Sequence, residues 1–398
     1  MSSSGQAVGS RSRSRPRAVP IASSGWGDPA VLLTLITAAL LILGLVMILS
    51  ASSVTSFATY GSSFRYFQKQ LIWAVLGVVA FLAFSRFDYK KLRGVGYISV
   101  VVTALLLLAV LIPGVGITAG GSSRWLGFGA LSFQPSEIAK LTLVLFAAEV
   151  FSRKDERTLK EFLHAMIPVV PVAGFLALLI MLQPDLGTTV LVGFIAIGVM
   201  FVAGTPLVYL VPVMGAGTGL AAGVAMLKPY MRARLLVFMH PWADPLGKGY
   251  QTIQSLIAMG SGGWLGVGLG ASRQKWAYVP NAHTDFIYAI LGEEMGLLGT
   301  VAVLGMFAFL AYLGIKVARR APDRFGMLVA SGITVWISLQ ALINMGAVSG
   351  ALPVTGVPLP LVSFGGSSLV ITLVAMGILT NIATQSRRRL PKRNDAES

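Results

Sequence analysis

Ten apolar stretches, each close to the roughly 20 residues a helix needs to cross a bilayer, constrain this chain more than any other feature. They fall at about 30–50, 69–85, 95–112, 136–151, 165–182, 187–203, 206–227, 286–315, 325–348 and 366–384. Soluble domains carry roughly 25% charged residues. Here only 12% are charged, 55% are hydrophobic and the mean hydropathy is +0.78. The pattern predicts an all-α integral membrane protein of ten transmembrane helices. A polar loop at 228–285 separates the seventh from the eighth.

Lysine and arginine orient the bundle. They crowd Arg11–Arg17, Arg86–Arg93, Arg153–Lys160, Lys316–Arg324 and Arg387–Arg393, whereas the alternate short connections carry only Arg65, Lys69 and Arg124. Cytoplasmic loops hold such an excess, so both termini are cytoplasmic and the long loop is extracytoplasmic. The domain reading is a disordered basic tail over 1–28, a membrane domain over 29–385 and a cytoplasmic tail over 386–398. The first 28 residues are not a signal peptide, because the apolar run behind them is full length and lacks a convincing cleavage site. The net charge of +16 is thus mainly topology, and nucleic acid is not a partner.

The outer loop is the exception. It gathers Lys228, Arg232, Arg234, Lys248, Arg273 and Lys275 against few acids. Anionic lipid phosphate is the simplest partner for such a cluster. Within the loop, Ile253, Leu256 and Ile257 recur at helical spacing, and Asp244-Pro245-Leu246-Gly247 reads as a turn. The glycines from Gly260 to Gly270 lack the strand-turn-helix setting of a dinucleotide fold. They read as a flexible re-entrant segment, with a diphosphate nest the lesser alternative. SFGGSS (363–368) reads as close helix packing.

Chemistry is confined to a few residues. The chain has no cysteine and three histidines, which excludes thiolate chemistry and His-rich metal sites. Asp285, in HTDF at the edge of the eighth span, has two readings. It is either a base with a raised pKa, also able to hold a divalent cation, or a helix cap shared with Thr284. Glu137 and Lys140 share one helical face in QPSEIAKL. Buried ionisable groups mark a site, and a mutual structural pair is the equal alternative. Arg124 adds an outer cation beside an anchoring Trp125. Asp185 in QPDLG reads as a cap for the sixth helix. Glu293 and Glu294 predict an interhelical hydrogen bond, for example to Gln340 or Asn344.

Together these residues resemble the SEDS family (shape, elongation, division and sporulation proteins) over residues 28–385. The resemblance rests on RWLGFGALSFQPSEIAKL, QPDLG, HPWADPLGKGYQ, GLGASRQKWAYVPNAHTDFIYAILGEEMGLLG and LPLVSFGGSSL. PWADP, GLGASRQKW and GEEMG look more like the division member than the elongation member. The resemblance implies a peptidoglycan glycosyltransferase at the outer face of the bacterial cytoplasmic membrane, at the division septum. It would polymerise lipid II into β-1,4 glycan and expel undecaprenyl diphosphate.

The family's essential aspartate falls on Asp285, as general base with or without a divalent cation, magnesium or manganese. Its Glu and Lys fall on Glu137 and Lys140. Arg124, Arg232, Arg234, Lys248, Arg273, Lys275 and His283 complete the expected substrate-binding set. Many members carry Glu where this chain has Asn281, so a mechanism needing that second carboxylate does not transfer. The implied partners are lipid II, a class B penicillin-binding protein and other division proteins. Two other classes stay open: a lipid II flippase or transporter lined by the buried charges, weakened by the lack of an internal repeat, and a non-catalytic division scaffold.

Overall fold

The computed structural model describes residues 27–388 apart from 120–121, 129–130, 160, 228, 248 and 277–281. Most of both tails, with Lys228, Lys248 and Asn281, lie outside the described residues.

The ten expected stretches are all helices. They are α1 (Pro29–Tyr60), α2 (Arg65–Arg86), α3 (Val95–Leu111), α4 (Pro135–Ser152) and, after two single turns, α5 (Glu156–Leu159) and α6 (Phe162–Met166), α7 (Val170–Leu182). Then come α8 (Leu186–Ala203) and α9 (Leu207–Leu227), the loop helices α10 (Pro229–Met239) and α11 (Tyr250–Ser261), and α12 (Ile287–Arg319), α13 (Arg324–Val348) and α14 (Gly366–Arg388). Seven of these are long and apolar enough to cross a membrane, and α3 and α7 are shorter apolar helices. The eighteen residues of α4 include Glu137, Lys140 and Glu149, all buried. The fifth expected span begins later than its hydropathy suggests, because the run is interrupted between α6 and Val170.

Helix boundaries follow local chemistry. Asp28 accepts from Ala30 N with Pro29 in the first turn of α1, and Asp323 accepts from Gly326 N to start α13. These caps satisfy amides that a helix end leaves free. Many outward-facing side chains on α1, α2, α3 and α9 are apolar, including Ile42, Val79, Ile98 and Val208. In a bilayer that exposure costs nothing, since lipid is as apolar as a protein core.

The bundle is tied at the end carrying the basic connections. Arg387 pairs with Asp28 at 2.7 Å, Arg93 with Asp323 at 2.6 Å, and Tyr89 Oη donates to Asp323 at 2.6 Å. The opposite end departs from a purely helical expectation in one place. A three-stranded antiparallel sheet, β1 (Ile117–Ala119), β2 (Ser122–Phe128) and β3 (Leu131–Phe133), fills the connection before α4 in the order β1-β2-β3.

Candidate functional site

Asp285 lies two residues before α12. The cap position of that helix falls on Phe286 and carries no side-chain bond, so capping does not explain the carboxylate. Asn344 Nδ2 on α13 donates to Asp285 O and to Val357 O, each at 2.8 Å. These bonds set the backbone beside the segment between α13 and α14. There Gly356 has φ +76, a left-handed conformation that glycine adopts without strain. A Cβ at Gly356 would stand 3.5 Å from Asp285 Oδ2 and 3.6 Å from Arg234 Nη1. The carboxylate and the guanidinium thus both border Gly356.

Two further elements close in. Arg124 on β2 donates from Nε to Gln183 O at 3.0 Å and from Nη2 to Pro184 O. The next residue is Asp185, which caps α8 as its motif predicts: Oδ1 accepts from Thr188 N at 3.1 Å. Its Oδ2 accepts from Thr188 Oγ1 at 3.0 Å and from Gln134 Nε2 at 3.1 Å. Asp185 also acts on Asp285. Burial raises the Asp285 pKa most, Arg234 opposes it, Asp185 raises it further and Arg124 again opposes, leaving it at about 6. A carboxylate with that pKa is ionised at neutral pH yet basic enough to accept a proton in a transition state. Asp285 as a whole residue is partly exposed.

Glu137 and Lys140 occupy a different position. Their atoms pair at 2.8 Å with side-chain exposures of 3% and 1%. Lys140 Nζ also donates to Gln340 Oε1 at 2.8 Å and lies 5.1 Å from the Trp336 ring centroid. Gln340 in turn donates to Pro358 O at 2.9 Å. The pair therefore stands behind the 356–358 segment, inside the helix core.

The other expected residues scatter. Arg232 and Arg273 are exposed. Lys275 is buried and donates to Gly270 O within the glycine segment. His283 packs against Tyr66 and Phe364, tilted to the first and edge-on to the second, with centroids at 4.7 and 5.5 Å, and burial lowers its imidazole to a pKa of about 4. It is therefore a neutral aromatic wedge at physiological pH. Glu293 binds Ser272 Oγ at 2.5 Å and Arg273 N at 2.9 Å, while Glu294 accepts from Ser50 Oγ at 2.5 Å. α12 breaks at Gly296 (φ 67, ψ −164), and neither acid bonds Gln340 or Asn344; their partners lie on α1 and in the glycine-rich loop. The four buried charges thus serve separate local contacts and do not line one path.

The glycine segment has a structural use that differs from a phosphate nest. Val267 N and Gly268 N donate to Glu293 O and Glu294 O at 3.0 and 3.1 Å, and Leu297 N donates to Gly263 O at 2.9 Å. Its backbone completes the broken turn of α12, which a side chain would prevent.

Asp285, Arg234 and Arg124 are the expected residues that converge. Asp185, Gly356 and Asn344 join them without having been singled out for this site. Only Asp185 had a signal, through its motif, and that signal pointed to a cap. Among the described residues no group of three or more His, Asp or Glu side chains could hold a metal. Both Asp185 oxygens already accept hydrogen bonds, which leaves Asp285 as the carboxylate of this cluster to which a divalent cation bridging substrate phosphates could bind.

A family model described as cell cycle protein, covering FtsW, RodA and SpoVE, matches residues 30–388. The chain is 43% identical to stage V sporulation protein E of Bacillus subtilis over 361 residues, covering 90% of this chain and 98% of that one. It is 39% identical over 357 residues to the probable peptidoglycan glycosyltransferase FtsW of Geobacter metallireducens, covering 90% and 95%. Among solved structures, a chain of a peptidoglycan synthase complex that coordinates polymerization and crosslinking superimposes with TM-score 0.72 at 31% identity, over 92% of this chain and 99% of that one. RodA of Thermus thermophilus gives TM-score 0.66 at 27% identity, over 90% and 97%.

Proposed function

The chain belongs to the cell cycle protein family of FtsW, RodA and SpoVE, and we propose that it polymerises lipid II during division with Asp285 as general base. It is a multi-pass membrane protein and a peptidoglycan glycosyltransferase. The observation that carries the mechanism is the Asp285 carboxylate beside Gly356, with the Arg234 guanidinium bordering the same glycine and burial raising the carboxyl pKa to about 6.

In the proposed reaction the 4-hydroxyl oxygen of the acceptor GlcNAc attacks the donor's anomeric carbon. The bond from that carbon to the diphosphate oxygen breaks with inversion, and the hydroxyl proton passes to Asp285. Undecaprenyl diphosphate leaves carrying the bonding pair. Its negative charge is offset by Arg234 and Arg124, which protein contacts already hold in place, so little reorganisation accompanies bond breaking. Arg232, Lys248, Arg273 and Lys275 add to the outer positive field that draws anionic headgroups. Glu137 and Lys140 act from behind by fixing the 356–358 segment. A divalent cation, magnesium or manganese, would be held by Asp285 with Asp185 beside it and would supply further charge neutralisation on the diphosphate. A prenyl-linked donor suits a site at the mouth of a helix bundle, since its tail remains in the bilayer. A class B penicillin-binding protein that cross-links the glycan is the proposed partner and the septum the proposed location.

The test is glycan synthesis from labelled lipid II by the full chain with its cognate penicillin-binding partner, other glycosyltransferases being blocked. Wild type should make polymer and Asp285→Asn none, with both proteins equally folded. Because the base must be ionised, activity should rise as pH rises through about 6. Full polymerisation by Asp285→Asn would remove the base assignment.

A further inference from the structure

Two amide side chains one turn apart on α13, Gln340 and Asn344, are 0% and 2% exposed. Burying amides within a membrane bundle is costly unless they have partners. Both serve the irregular segment between α13 and α14. That segment runs below Asp285, with Val357, Leu359, Leu361 and Val362 buried and Leu361–Val362 packed on Gly44 of α1. Backbone carbonyls at such depth need donors from neighbouring helices. Gln340 supplies Pro358 O, and Asn344 supplies Val357 O.

Asn344 does one thing more. Its second amide hydrogen goes to Asp285 O, so a single side chain bridges the two walls of the crevice. Its own Oδ1 is buried without a partner. An orphaned acceptor offsets much of what its hydrogen bonds contribute, so stability is a weak reason for an asparagine here. Geometry is a better one. The neighbour of Val357 is Gly356, which both the Asp285 carboxylate and the Arg234 guanidinium border.

We propose that Asn344 is a positioning residue for glycosyl transfer, clamping the backbone of Asp285 to that of Val357 and so fixing the carboxylate against Arg234. The inference rests on Asp285 being the base. Asn344→Leu keeps the volume and removes both donors, and Asn344→Ser keeps a shorter hydroxyl. Each would be assayed as the full chain with its partner in lipid bilayers, measuring kcat and KM for lipid II.

A misplacement near 1 Å costs about a hundredfold in rate, so kcat should fall between about tenfold and a hundredfold in Asn344→Leu, with KM little changed. Asn344→Ser should fall between Asn344→Leu and wild type. A purely structural role would lower the folded fraction and leave kcat of the remaining folded enzyme unchanged. A folded Asn344→Leu with wild-type kcat would overturn the proposal. If the leucine variant does not fold, the same result from Asn344→Ser would overturn it. An active Asp285→Asn in the same assay would remove the base reading itself. An inactive one beside an unaffected Asn344→Leu would remove only the clamp.

Discussion

Replacing Lys140 by methionine takes the cation out of a pair buried to 1% and 3% exposure. The three groups around Lys140 lose unequally. Gln340 Oε1 still accepts from Trp336 Nε1 at 2.8 Å, and Trp336 loses only a cation lying 5.1 Å from its ring centroid. Glu137 Oε2 has no hydrogen-bonded partner of its own, so its charge is left uncompensated in the core. Breaking a buried pair in this way costs about 3–5 kcal/mol, whereas removing both charges together is often neutral. Lys140→Met should therefore destabilise by about that amount, and adding Glu137→Gln should recover most of the loss. The implied coupling, about 3 kcal/mol or more, far exceeds the few tenths seen between independent sites. Denaturant unfolding in mixed micelles, followed by tryptophan fluorescence, would measure the cycle. Additive effects of the two substitutions would refute the reasoning and leave the Gln340 bond as the main tie between α4 and α13. Glycan synthesis by the recovered double variant would then separate the pair's service to folding from any service to catalysis.

Gly296→Ala should release the glycine segment. The residue has φ 67, and an added Cβ would lie 2.4 Å from Gly266 N. Faster proteolysis within 262–271 is the expected readout. His283→Phe should leave the acid limb unmoved, because burial already keeps the imidazole neutral above about pH 4 and phenylalanine preserves the stack with Tyr66 and Phe364. A limb that shifts in this variant would show that His283 contributes to the titration assigned to Asp285.

Helix positions were legible because hydropathy over a bilayer's length is a local property, and Asp185 marks the start of α8 by a bond to a residue three positions away. The Glu137–Lys140 pair was legible for the same reason, its spacing being a helical contact. The sheet before α4 was not. Its strands of three, seven and three residues are too short to carry a periodic signal.

The site divides along the same line. Asp285 stood out as a carboxylate at a membrane edge, and Arg124 and Arg234 as outer cations, yet residue type alone did not separate them from Arg232, Arg273 or Lys275. Separation required the fold, which presents Arg234 to Gly356 and spends Lys275 on Gly270 O. Asp185, Gln340 and Asn344 lie far from Asp285 in the chain, and no local spacing relates them to it. By itself the sequence determined a helical membrane bundle and the residue types able to do chemistry, because these depend on near neighbours and on the solvent each segment requires. Only the tertiary structure decided which of those residues meet, because a hydrogen bond from α13 to Asp285 exists only after the helices have packed.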